Sequence, residues 1–544
     1  MGCFYSKVHR ERENEMKSGL NFFVKNALIT CDLNTPTAVS LAKIHAAAVT
    51  PKSSKMVKDF APKDPNRATV SYVGIEFFIS DEDLSSDEFS AVIENEVIEA
   101  VIGIIDSEPI IDRESYFDNE EEAATGLTKL FGQALPPIRV HWHYWDNMNT
   151  LSNFAFAGFG QYYLSSCPKD SKAHCPGACY HIDLSSWSQY TVRKGFEPYG
   201  VIAYFDENRV PCGYYWCSQE RLVLVGDELF FRVGVLLRTT THAVLTLRDH
   251  LLGIHWVVSN STVLSCERWL DAQHPVRRLL KPHTYGSSHI NLAGAITLSP
   301  YGGIASRLFG LDEAGWARAC SEELKEFKYE TVSERFDRMK LPASVQSHMP
   351  YYVDGMDLWN IHKAYVAAYI DIFYPFDDDL AKDEELQAYW KGLLEASPGK
   401  MYKVGTFSRA GLVMQLTHFI FWTTGGHSFV GSTAEYLLSP FAFPGKLRLQ
   451  QDQADKQTLV LQNALISLTT GPQPMLLSDW SHLHSYDLLD QPSQKGRKQL
   501  VLDNLANWQS GLKALVKTIN ERNSLRAKPF VAMRPDLIES SVSV

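Results

Sequence analysis

HAVLTLRDHLLGIHWVV, residues 242–258, holds apolar side chains on every turn and contains no proline, the pattern of a buried helix. It also carries two histidines five residues apart, His250 and His255. On a regular α-helix five residues advance about 500°, which leaves the two rings roughly 140° apart and unable to share a metal. A π-helical turn closes at i+5 and returns them to one face, and Gly253 between them would ease that distortion. The other reading is two separate histidines, core or surface, because i+5 is not the i+4 spacing of zinc proteases. Spacing alone favours the second reading.

Outward from this stretch, the C-terminal half keeps the same character. From Phe230 onward long apolar periodicities predict helices, with DLWNIHKAYVAAYIDIFY (357–374) and QTLVLQNALISL (457–468) as examples. The N-terminal half is more mixed. TVSYVGIEFF (69–78), GVIAYF (200–205) and ERLVLVG (220–226) predict strands, and DEFSAVIENEVIEAVIGII (87–105) predicts a helix. Residues 112–126 form an acidic, solvated stretch, and residues 135–185, rich in Pro, Gly, Ser and aromatics, predict loop. The expected fold class is mainly α, a large helical catalytic domain with minor β segments.

Composition narrows the function. The 544 residues are 45% hydrophobic and 21% charged, ordinary globular usage. A net charge of −11 leaves no basic surplus for phosphates, so no nucleic-acid partner is expected. No run of 18 apolar residues predicts a transmembrane helix. The nine cysteines follow no secretory signal pattern and are expected to be reduced, in a cytoplasmic protein. The start, MGCFYSKVHRER, places Gly2 and Ser6 as an N-myristoylation signal requires, with Cys3 as a palmitoylation site and Lys7, Arg10 and Arg12 as basic support. Residues 1–25 therefore read as an acylated tether to a membrane, and residues 26–544 as the catalytic domain.

Three further motifs lie downstream. HPVRRLLKPHTYGSSHINLAG (274–294) alone reads as a turn, a short helix and a basic face, with His289, Ile290 and Asn291 near its end. GGHSFVG (425–431) sets His427 behind a flexible glycine pair. The terminus, Ser540 to Val544, is uncharged and β-branched where chain ends are normally polar, which suggests a buried carboxylate.

Together, and in this order, HLLGIH, HPVRRLLKPHTYGSSHINLAG, DGMDLWNIHKAYVAAYIDIFYPFDDDLAKDEELQAYW (354–390), GGHSFVG and the SVSV tail resemble the lipoxygenase family. The resemblance is clearest over residues 230–445 and at the C-terminus. The first 130 residues show no recognisable lipid-binding β-sandwich, as in the compact forms that have the catalytic domain only. The resemblance implies His250, His255, His427 and the α-carboxylate of Val544 as ligands of non-haem iron, with manganese as the alternative. Imidazoles and a carboxylate without thiolate suit such a centre. It implies a dioxygenase: a hydrogen leaves a bis-allylic CH₂ of a polyunsaturated fatty acid, and O₂ traps the pentadienyl radical as a hydroperoxide. Where the family carries a further weak ligand, this chain has Gly431. That departure keeps two alternatives, a hydroperoxide isomerase and a metal-poor, membrane-bound pseudoenzyme or binding protein. Gly294 occupies the position whose Gly or Ala correlates with product chirality and implies an R-type product. Leu298 matches an apolar residue that packs on the substrate. The expected state is a monomer.

Other constellations carry less. Cys167, His174, Cys175, Cys179 and His181 lack the paired C-x-x-C spacing of structural zinc. His141 and His143 alternate with aromatics as on a packed strand. No G-x-S-x-G, Walker A or dinucleotide fingerprint is present.

Overall fold

Alternation of apolar side chains builds the β part. The computed structural model describes residues 63–72, 74–78, 148–168, 175–295, 299–301, 304–396, 406–431, 445–447, 449, 476–478 and 495–542. The tether at 1–25 with the boundary at 26, the helix expected at 87–105, the acidic stretch 112–126, His141, His143 and the segment 457–468 lie outside these residues. TVSYVGIEFF forms a hairpin, β1 (Thr69–Tyr72) and β2 (Ile75–Phe78), turning at Gly74, whose φ of +79° suits glycine. Five strands make an antiparallel sheet in sequence order: β3 (Leu164–Ser166), β4 (Tyr180–Asp183), β5 (Val201–Phe205), β6 (Pro211–Trp216) and β7 (Arg221–Leu224). β5 is buried on both faces. Val201, Ala203 and Phe205 join the main core, while Ile202 and Tyr204 pack around Cys175.

The region expected as loop is partly regular. Residues 148–157 form α1 (Met148–Ala157), because Leu151, Phe154 and Ala155 recur at helical spacing and all sit in the core. Aromatic richness here is packing, not loop chemistry.

From Phe230 the structure is helical, as the periodicity predicts. α2 (Phe230–Val244) continues without a break into a π-helix, Leu245–Asn260, and then α3 (Ser261–Trp269). The π-helix is almost wholly buried although it carries Asp249, both histidines, Ser259 and Asn260 among its apolar residues. Trp256 meets Phe77 of the hairpin edge-on at 5.6 Å, and Asn260 Nδ2 donates to the Glu76 carbonyl at 2.6 Å. Around it pack α4 (Pro275–Thr284), α5 (Ser287–Ala293) and α6 (Glu313–Glu326). The long α7 (Pro350–Phe373) packs against α8 (Arg409–Phe421) and α10 (Lys495–Asn523), while the short α9 (His427–Gly431) meets the π-helix. Asp354 of α7, fully buried, takes hydrogen bonds from Arg522 at 2.8 Å and Arg526 at 2.7 Å and ties α7 to the end of α10. Among the described residues no helix is long and apolar enough to cross a membrane.

The basic face expected on α4 is not a surface. Arg277, Arg278 and Lys281 are buried, and Arg277 donates to the Leu270 carbonyl at 2.9 Å. The helix is amphipathic in sequence yet enclosed by its neighbours, so its cations lie inside the fold. His274 is its N-cap: its Nδ1 accepts from the Val276 amide, and its Nε2 faces Asp383.

Candidate metal centre

Two π-helical segments deliver the three histidines. In the first, the i+5 turn places His250 and His255 on one face, with Nε2 atoms 3.1 Å apart. Gly253 lies inside this turn; a Cβ there would stand 2.2 Å from the Phe327 ring, so glycine also admits Phe327 against the helix. The second segment, Trp422–Gly426, interposes between α8 and α9. Thr423 Oγ1 donates to the Phe419 carbonyl and Thr424 Oγ1 to the Ile420 carbonyl, at 3.0 and 2.6 Å. Hydroxyls thus occupy the i−4 acceptors of a regular α-helix, which favours the wider turn. Gly425 lets α7 approach, since a Cβ there would lie 2.7 Å from Leu358 and from the Met533 sulfur.

These segments bring His427 Nε2 to 2.8 Å from His250 Nε2 and 3.2 Å from His255 Nε2. Among the described residues this is the one group of three or more His, Cys, Asp or Glu side chains with such convergence. His250 is half-buried, and the other two are buried. Burial, reinforced by the facing rings of His427 and His255, holds His250 well below the ordinary imidazole value. Burial, with His427 behind it, pushes His255 down to about 3, against the opposing hydrogen bond of Asn291. His250 and His255 are therefore neutral at physiological pH.

The tautomers follow from the outer partners. Asn291 Nδ2 donates to Ser259 Oγ at 3.3 Å, which turns its Oδ1 to the His255 Nδ1–H at 3.0 Å. His427 Nδ1 donates to a Glu539 carboxylate oxygen. Both Nδ1 atoms are engaged by outer acceptors, which leaves both Nε2 atoms turned toward each other at 3.2 Å, where a cation could bind between them. Donors 2.8–3.2 Å apart also match neighbouring corners of an octahedron; tetrahedral zinc at ~2.05 Å would set them roughly 3.3–3.4 Å apart. The donor set fits an octahedral non-haem metal.

Gly431 lies at the centre. A Cβ on it would stand 3.1 Å from His250 Nε2 and 3.5 Å from His427 Nε2, so this is where a further side-chain ligand would enter. Gly294, after α5, is adjacent: a Cβ there would meet Leu251 Cδ1 at 3.7 Å, an ordinary contact. Leu298 and Val544 lie outside the described residues, as do Gly2 and Cys3. The tail leading to Val544 is held inside. Ser540 O accepts from His283 Nδ1 at 2.7 Å, Val542 O from Ser287 Oγ at 2.9 Å, and Ser541 Oγ donates to the Tyr285 carbonyl at 2.9 Å. Residues 540–542 are buried. Glu539 carries no sequence signal beyond being an acid in an otherwise uncharged tail, and Asn291 none beyond its place in HIN. Among the described residues the cysteine cluster forms no metal site: Cys175 Sγ faces Cys212 Sγ at 3.7 Å, and His174 lies outside the described residues.

The fold is a large helical one around a buried three-histidine centre, and the comparisons find likeness to one family. Residues 237–442 match the lipoxygenase family model. A pea seed linoleate 9S-lipoxygenase is 30% identical over 203 residues, 34% of this chain and 21% of the relative. A mouse polyunsaturated fatty acid lipoxygenase is 25% identical over 323 residues, 55% of this chain and 46% of the relative. The matches thus span less than half the length of these relatives. The structure of a calcium-dependent 11R-lipoxygenase superposes with a TM-score of 0.69 at 18% identity, covering 93% of this chain and 81% of that one. The resemblance to the lipoxygenase family holds in sequence over residues 237–442 and in fold over most of the chain.

Proposed function

We propose that this chain is a non-haem metal dioxygenase that inserts O₂ into polyunsaturated fatty acids. The observation that carries the reading is the convergence of three imidazole Nε2 atoms within 2.8–3.2 Å, with the Nδ1 atoms of His255 and His427 engaged by Asn291 and Glu539. His250, His255 and His427 would hold the metal, with the α-carboxylate of Val544 as a fourth ligand, supported by the buried, pinned tail. Iron, or manganese in its place, supplies one-electron redox chemistry toward a bis-allylic C–H and O₂. The chain's own residues fix the imidazole tautomers, and the apolar walls around Leu251 and Ile254 exclude water.

Gly294 supports an R-type product, because the space a methyl would occupy beside Leu251 is left to O₂. The 11R-lipoxygenase among the fold neighbours is consistent with that stereochemistry. Gly431 favours a second reading, a hydroperoxide isomerase, since one fewer side chain reaches the centre. We also read Gly2 and Cys3 as acylation sites that tether the protein to membranes; Gly2→Ala should release it into the soluble fraction.

The test is metal analysis paired with O₂ consumption on linoleate and arachidonate. Stoichiometric iron or manganese with O₂ uptake is expected. Metal with turnover of fatty-acid hydroperoxides and no O₂ uptake would replace this reading with the isomerase. An empty protein would leave a pseudoenzyme.

A further inference from the structure

Glu539 stands out among the buried charges. It is 1% exposed, 112 positions from His427 in sequence, and takes the His427 Nδ1–H on one carboxylate oxygen. Its other oxygen, Oε2, is buried without a hydrogen-bond partner among the described residues. The backbone holds it in place: Glu539 bridges Leu476 in an antiparallel pair, Ile538 O accepts from Leu477 N at 2.9 Å, and Ser540 O takes His283 Nδ1 at 2.7 Å. A carboxylate fixed in the core with only one of its oxygens hydrogen-bonded is costly unless a positive charge lies near. No Lys or Arg is paired with Glu539 among the described ion pairs; its partner is His427. The other buried imidazole of the centre is treated differently, since His255 meets the neutral amide of Asn291.

We propose that Glu539 is a positioning residue for the metal centre, supplying through His427 a negative charge that a cation among the three Nε2 atoms balances. The inference rests on the dioxygenase reading. The carboxylate fixes the Nδ1–H tautomer and raises the donor strength of Nε2, the relation found in carboxylate–histidine–metal triads. At a centre where Gly431 offers no side chain, His427 is then the strongest imidazole donor.

The experiment loads the full chain, wild type and Glu539→Gln, with Fe(II) and Mn(II) against a competing chelator. It also measures thermal unfolding of the metal-free proteins. Gln keeps the acceptor oxygen and the volume but removes the charge. The expected result is metal affinity weakened about 10- to 100-fold, with metal-free stability unchanged or raised. The ferric/ferrous midpoint potential of the iron form should rise, because loss of the anion disfavours the oxidised metal. Glu539→Gln with wild-type affinity and potential would overturn the proposal. So would a variant whose only defect is a lower unfolding temperature, since that marks a merely structural acid. If the wild-type chain itself binds neither metal, the dioxygenase reading fails first, and this proposal with it.

Discussion

The two π-helical segments reach the same end by different means. Leu245–Asn260 is long, apolar and enclosed, and no side chain in it competes for backbone carbonyls near the histidines. Its wide turns are imposed by what packs around it, with Phe327 seated on Gly253. Trp422–Gly426 is short and carries its own local cause, two threonine hydroxyls bonded to the carbonyls of Phe419 and Ile420, followed by two glycines. One geometry is held by tertiary packing and the other is written into five residues. A perturbation of the neighbours should therefore damage the first segment, and a change within the sequence should damage the second.

Acid should give the largest effect, and it bears on the second segment. His418 Nε2 accepts from Trp422 Nε1–H at 2.7 Å, and its ring stacks on Tyr329 with centroids 3.8 Å apart. Burial pushes His418 down to about 3. A folded value below the unfolded one means that the stability is fully present above about pH 6.5 and is lost as pH falls toward 3, at most about 4–5 kcal/mol. His418→Gln, neutral throughout, should flatten that part of the acid limb in denaturant titrations of the metal-free protein. An unchanged limb would show that His418 does not carry it.

Next comes packing. Gly253→Ala should destabilise by roughly 1–3 kcal/mol, because its Cβ would overlap the Phe327 ring, and Phe327→Leu should recover part of the loss. A denaturant midpoint unmoved by Gly253→Ala would mean that Phe327 does not shape the first segment. Smaller still, Thr423→Val and Thr424→Val together remove hydroxyl back-bonds at nearly constant volume, for about 1 kcal/mol each. Their specific effect should be on metal affinity, through a shifted His427, beyond any change in unfolding temperature; equal affinity would sever the link between those hydroxyls and the π turn. Gly294→Ala should leave stability alone, since its Cβ meets one carbon at ordinary distance. It should move the hydroperoxide from R toward S on chiral analysis, and unaltered chirality would remove Gly294 from control of O₂ access.

This contrast also marks what could be seen in the sequence. The helical character after Phe230 was legible because periodicity is local, whereas His250, His255 and His427 were singled out by the order of the family-like motifs and not by their spacing. The choice between the π turn and separate histidines was not legible, since the packing of Phe327 lies 74 positions beyond Gly253. Asn291 and Glu539 were invisible as partners for the same reason. A hydrogen bond between His427 and Glu539 leaves no pattern in either neighbourhood. The buried Arg277, Arg278 and Lys281 show the opposite failure, where a local pattern of charge predicted a surface and long-range enclosure overrode it.

The pinned tail has a consequence for how the molecule assembles. Hydrogen bonds from His283 to Ser540 and from Ser287 to Val542 join positions more than 250 residues apart. Contacts of that sequence separation carry a large loop-closure entropy and form after local helices in most folding schemes. During synthesis the helices that carry His250 and His427 emerge well before residues 538–542 exist. For that interval the imidazole cluster stands without its carboxylate and open on the side the tail later fills. On the proposed metal-binding reading, metal acquisition and final chain docking are coupled events, and a nascent or proteolytically opened chain should hold a metal less tightly than the finished one.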